Sequence, residues 1–184
     1  HDALADVEAT LYICRLIRDR APDQWSSALR FCQKSSALAF MDDAPAFAIT
    51  ECYYGQPYQY ALAKLPVEDP IGSSVITYDL LVDPDELRAL DDVALVKRLG
   101  RKTKPIRRVR VNAAPLLHDI YDFAQFGSMT PDMLTARAEE VRADAALCAR
   151  LIAAAERAPA EASPYIEMRI HEEFSGAADR ERMQ

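Results

Sequence analysis

Apolar side chains recur at Leu4, Val7, Leu11 and Cys14, the three- and four-residue spacing of one helical face, and Ile13, Leu16 and Ile17 widen that face. The spacing predicts a helix over residues 1–20, with Asp2 as its N-cap, basic residues in the Arg15–Arg20 end, and Pro22 beyond to stop it. From Ser36 to about Asn112 the period changes to two. Ala37–Met41, Ala46–Tyr54, Tyr58–Leu65, Ser74–Val82 and Ile106–Val111 read as short strands, and Tyr54-Gly55-Gln56-Pro57 joins the second and third as a hairpin. On the last strand Val109 and Val111 face a core while Arg108, Arg110 and Asn112 face away. Asp83-Pro84-Asp85-Glu86 opens a helix that interrupts the strands, running to Leu99 with Gly100 as its stop. Thr130-Pro131 opens another helical region, whose stripe Leu134, Ala138, Val141, Ala145, Cys148 and Ile152 continues to Pro159. Arg142-Ala143-Asp144 could divide it into two helices. From Ala160 the chain is charged, weakly patterned helix. The class is α+β: an N-terminal helix, a small β-barrel or sheet module with an inserted helix, then C-terminal helices.

Composition narrows the function classes. The chain has 184 residues, half of them apolar, which excludes collagen-like, mucin-like and wholly disordered readings. The apolar run Ala37–Met41 stops at five, far short of a membrane-spanning helix, so no membrane partner is expected. Cys14, Cys32, Cys52 and Cys148 form no C-x-x-C pair and read as buried thiols of a cytoplasmic protein. The sequence opens at His1 without an initiator methionine or a signal segment, and reads as cut from something longer.

The net charge of −7 conceals a pattern. Between Lys97 and Arg110 stand eight basic residues and no acidic one: Lys97, Arg98, Arg101, Lys102, Lys104, Arg107, Arg108 and Arg110. Such a stripe supplies phosphate contacts to a single strand of nucleic acid. It serves equally as a solvated loop and strand edge whose charges deter aggregation. Tyr53, Tyr54, Tyr58 and Tyr60 around one hairpin offer stacking faces to bases, or simply pack across strands.

Catalytic motifs are scarce. His171-Glu172-Glu173-Phe174 begins like a zinc-protease motif, but Ser175 stands where the second histidine belongs. No G-x-S-x-G, phosphate-loop or dinucleotide-binding motif occurs, and the three histidines share no context. His1-Asp2-Ala3-Leu4-Ala5-Asp6 is more informative. Positions five apart on a continuous helix diverge, so His1 and Asp6 converge only if His1 precedes the helix. A carboxylate there suits a hard divalent cation and an imidazole suits a general base. The same pattern is also a capped helix start with surface acids.

The run His1-Asp2-Ala3-Leu4-Ala5-Asp6-Val7-Glu8-Ala9-Thr10 resembles the third motif, H-x-x-x-x-D, of the DnaQ-like (DEDDh) 3′→5′ exonuclease family, and is most similar to its exodeoxyribonuclease I branch. The likeness continues in order through Phe40-Met41-Asp42, Thr77-Tyr78-Asp79-Leu80, Val109-Arg110-Val111-Asn112, Pro115-Leu116-Leu117 and Phe174-Ser175-Gly176-Ala177-Ala178-Asp179-Arg180. The resemblance implies His1 as general base, Asp6 as a magnesium (Mg2+) ligand, and single-stranded DNA as substrate. It implies three segments: residues 1–22 as the last helix of a nuclease domain, 23–158 as an SH3-like accessory domain, and 159–184 as the start of a helical domain. Family members also use an upstream D-x-E pair and a further aspartate, which lie before the position of His1, so the chain is expected to be inactive alone. The family receives the acidic C-terminal tail of single-strand-binding protein, and Arg142 matches one basic position of that surface. Against this stands a stand-alone SH3-like module that binds nucleic acid or protein without catalysis.

Overall fold

A computed structural model describes residues 3–66, 73–100 and 104–157. The elements run α1 (Ala3–Arg20), α2 (Pro22–Arg30), α3 (Lys34–Asp43), β1 (Phe47–Tyr53), β2 (Gln56–Lys64), β3 (Ser74–Asp79), α4 (Pro84–Arg88), α5 (Asp92–Leu99), β4 (Ile106–Arg110), β5 (Leu116–Asp119), α6 (Pro131–Ala143) and α7 (Ala145–Arg157). The strands form one antiparallel sheet in the order β4-β3-β2-β1-β5. The architecture is α+β, as the pattern predicts. No helix of the described residues is long and apolar enough to cross a membrane.

Both faces of the sheet are covered. Strand alternation sends Phe47, Ile49, Leu62, Val75 and Val109 into one core with Phe31, Ala37 and Met41 from the region of α2 and α3. The intervening residues Ala48, Ala61, Ala63, Ile76 and Tyr78 enter a second core with α4 to α7. Three alanines on that face let the helices lie close. In a flat sheet β4 and β5 would stand about 19 Å apart, four strand spacings. Yet Val109 and Leu117 share one core, and Arg110 and Leu116 line one cleft, so the sheet curls.

Three expectations are corrected, and a fourth is extended. Ala37–Met41 is helix, not strand: Ala37 and Met41, four apart, are buried on one face of α3, and the run holds good helix formers without a β-branched residue. Pro22 does end α1, but it also opens α2 from the first helical position. The helix from Asp83 to Leu99 is two helices, because the Asp91 carboxylate accepts the Ala94 N–H and starts α5 afresh. The thiols are free, but only Cys148 is buried; Cys32 and Cys52 are exposed and Cys14 is half-buried. The division after Arg142 is observed, with Asp144 between α6 and α7.

Asp144 ties that junction together. Its carboxylate accepts the Leu147 N–H at 2.9 Å and the Arg88 Nε at 3.0 Å, while Arg88 also reaches Asp85 and Glu140 at 2.7 Å each. The backbone N–H first, and then Arg88, hold the Asp144 carboxyl below its ordinary range. A depressed carboxyl contributes its full stability above the unfolded value of about 4 and loses it as pH falls through the folded value. Asp144→Asn is therefore expected to destabilise the chain at neutral pH, and by progressively less as pH drops below about 4. Urea unfolding at stepped pH checks this, and a gap that does not change with pH would refute it.

Candidate nucleic-acid interface

The β1–β2 hairpin carries the aromatic half of the site. Its register, Phe47 opposite Leu62 through Tyr53 opposite Gln56, leaves only Tyr54 and Gly55 as the turn. Both have positive φ, 53° and 76°, the backbone of a type I′ turn, whose twist matches that of the flanking strands. Strand alternation places Glu51 and Tyr53 on the same face as Tyr58 and Tyr60. The Tyr53 and Tyr58 rings lie 5.8 Å apart, and both side chains are half exposed. The Tyr53 hydroxyl donates to Glu51 at 2.7 Å. That hydrogen bond, then burial and the Glu51 charge, push the Tyr53 hydroxyl up to about 12.

Strand β4 carries the basic half, and the stripe divides by environment. The Arg107 guanidinium lies 3.3 Å from the centre of the Tyr60 ring, and its Nε meets Asp79 at 3.3 Å. Asp79 in turn accepts the Leu81 N–H. Arg98, in α5, is buried and pairs with Glu86 at 2.7 Å. Arg108 is exposed and donates to the Ala155 carbonyl of α7 at 3.5 Å. Lys97 and Arg110 are exposed and have no ion-pair partner among the described residues. Lys104 is half-buried just before β4. Arg101 and Lys102 lie outside the described residues. Periodicity could not foresee that Asp79 and Tyr60, on β3 and β2, would take up Arg107. The cross-strand register decides that.

A cleft of about 720 Å³ separates the two halves. The Glu51–Tyr53 end of β1 forms one wall, Arg108–Arg110 another, and the loop Ala113–Pro115 closes it. It exists because β5 pairs only with Phe47–Thr50, leaving the outer end of β1 without a neighbour on that side. One wall is aromatic and carries an acid; the other is basic.

The remaining expected site residues lie elsewhere. Asp6 is exposed on α1, His1 lies outside the described residues, and so does Phe174–Arg180. No three His, Cys, Asp or Glu side chains among the described residues come together to hold a metal ion. A lone exposed carboxylate does not fit a magnesium site, which takes near-octahedral oxygen ligation. Arg142 donates to the Ala44 carbonyl at 3.4 Å, beside a second cleft of about 630 Å³ lined by Arg30, Phe40, Asp43, Asp119 and Tyr121. Above that cleft Arg30 stacks on Phe31 and Phe40, at 5.0 and 5.1 Å.

No protein-family model matches the sequence, and no curated protein matches it. Solved structures do match the fold. The metal-free form of the E. coli ExoI–ssDNA complex superposes with a TM-score of 0.62 and 22% identity, covering 100% of this chain and 43% of that one. The chain shares its fold with part of E. coli exonuclease I. The zinc-bound form of the exonuclease I–ssDNA complex gives a TM-score of 0.62 at 21% identity, and the complex with a 5cy-dT13 oligonucleotide gives 0.58 at 22%. Both cover 100% of this chain and 42% of exonuclease I. The likeness therefore runs over the whole sequence, while the chain spans about two-fifths of exonuclease I.

Proposed function

We propose that the chain is a single-stranded-DNA-binding part of a magnesium-dependent 3′→5′ exonuclease of the cytoplasm, carrying the third exonuclease motif and an SH3-like wall of the DNA channel. The observation that carries this reading is the shared fold over 100% of the chain with exonuclease I held on single-stranded DNA. In it, residues 1–22 belong to the nuclease body, 23–158 to the SH3-like domain and 159–184 to a helical domain. Helix α1 supports that division. It buries no residue, and Leu4, Val7, Leu11, Tyr12, Ile13, Leu16 and Ile17 are each exposed by 39% or more. A stripe of that size is an interface surface rather than a solvent face. Asp6 sits on this helix, so a body packed on the stripe brings its carboxylates near the motif. His1 as base and Asp6 as magnesium ligand act only in that longer assembly, and the chain alone is expected not to hydrolyse DNA. Arg142 as a contact for the acidic tail of a single-strand-binding protein is a secondary part of this proposal; Arg30 lines the cleft beside it, together with Asp43 and Asp119.

The test is titration of the chain with a labelled dT oligomer across salt. Lys97, Arg108 and Arg110 as phosphate contacts give log K falling against log salt with a slope of about −2, and Arg110→Ala is expected to reduce that slope by about 0.7. Binding that ignores salt, or none at low salt, would overturn the reading.

A further inference from the structure

Tyr54 stands in a conformation that works against its own side chain. Its φ of 53° lies in the left-handed region, where glycine, asparagine and aspartate are at home in a type I′ turn and a bulky aromatic is strained. No packing offsets this, for the residue is 97% exposed. An exposed aromatic ring held at a cost, with nothing inside the fold to gain from it, points outward to a ligand. Behind it the half-exposed Tyr53–Tyr58 pair continues the aromatic surface, and Tyr60 carries it to the Arg107 stack. Across the cleft stand Arg108 and Arg110.

The charges orient what binds. Glu51 lies among the tyrosines and repels phosphate, whereas the opposite wall attracts it. An occupant with flat faces on one side and phosphates on the other satisfies both walls, as a single strand of nucleic acid does. We infer that the β1–β2 hairpin tip is a base-stacking element for single-stranded nucleic acid: Tyr54 stacks on an unpaired base, the Tyr53–Tyr58 pair forms the ledge beside it, and the phosphates run along Arg108 and Arg110. This rests on the reading of the chain as a single-strand binder and adds where the bases, as opposed to the phosphates, are held.

Stacking has a signature that phosphate binding lacks, because it needs the base. The experiment compares, by fluorescence anisotropy, the binding of a dT oligomer and of an abasic oligomer of equal length and charge to the chain and to its Tyr54→Asn variant. The chain is expected to prefer dT by about five-fold or more. Tyr54→Asn is expected to remove most of that preference with the salt slope unchanged. Tyr54→Trp, with a larger face, is expected to retain it. Asparagine suits the left-handed position, so the same Tyr54→Asn variant is expected to be no less stable thermally, with a rise of about 2–4 °C. That reading certifies the fold when base preference is lost. Salt-dependent binding of both oligomers with equal affinity, or a base preference untouched by Tyr54→Asn, would overturn the stacking role and leave the single-strand-binding reading standing. Failure of both oligomers to bind at low salt would overturn that reading and this inference with it.

Discussion

Arg107→Ala is expected to destabilise the chain by about 2–3 kcal/mol. The substitution removes a cation resting 3.3 Å from the Tyr60 ring centre and strands a carboxylate. Asp79 is 8% exposed, its Oδ2 faces Arg107 and its Oδ1 accepts the Leu81 N–H. An ionised carboxyl left unpaired at that depth costs several kcal/mol, and the figure is set at the lower end because both partners keep some contact with water. The origin of the loss is separable. Asp79→Asn keeps the acceptor for Leu81 and drops the charge, so adding it to Arg107→Ala is expected to recover about half of the lost stability. A double-substitution cycle in urea measures the coupling, and a single-variant loss below about 1 kcal/mol would contradict the argument. Because Arg107 is already committed to Asp79 and Tyr60, the variant, while folded, is expected to leave the salt slope of DNA binding unchanged. Arg110 and Arg107, three residues apart on one strand, thus separate into a residue for ligand and a residue for the fold.

A larger stability effect falls on Tyr78, where β3 meets the helices. Its side chain is fully buried, and its hydroxyl donates to the Val82 carbonyl at 2.9 Å. Burial pushes that hydroxyl's pKa well up, which keeps it a neutral donor. Tyr78→Ala is expected to cost about 3–5 kcal/mol through lost burial and the cavity left among the helices. That is comparable with the whole stability of many domains. Tyr78→Phe keeps the ring and orphans one carbonyl, so its expected cost is about 1 kcal/mol. Urea midpoints at constant m distinguish the two. Equal losses for both variants would mean that the hydrogen bond, rather than packing, holds the β3–α4 turn.

Local rules were enough for much of this molecule. The hairpin was legible because Tyr54-Gly55 interrupts two alternating runs. The outward-facing Arg108 and Arg110 were legible because alternation along a strand needs no partner to state it. The break at Asp144 was legible as well. Legibility failed where the same local pattern serves two structures. Ala37–Met41 is an apolar run of five, too short for periodicity to choose between strand and helix, and its packing as α3 against Phe31 and Phe47 made the choice. Leu4, Val7 and Leu11 show a buried face by spacing, yet in the described structure that face is exposed, because spacing says a helix has an apolar side and never what covers it. The Asp91 cap that divides α4 from α5 was readable in principle, an aspartate just ahead of Val93 and Leu95, but the longer apolar stripe masked it.

The candidate site divides along the same line. Sequence alone determined an α+β chain, a stretch of eight cations without an acid, four tyrosines about one turn, and an H-x-x-x-x-D run ahead of an amphipathic helix. Each is a statement about neighbours along the chain. Tertiary structure alone decided which of those cations are available. Asp79 reaches Arg107 from 28 residues away, and Glu86 reaches Arg98 across a helix break. It also decided that the curl of the sheet sets Arg110 across a cleft from Tyr53. A charge in a sequence has a sign and a position, but its partner is chosen by strand register and helix packing, and that choice separates a cation that binds a ligand from one that holds the fold.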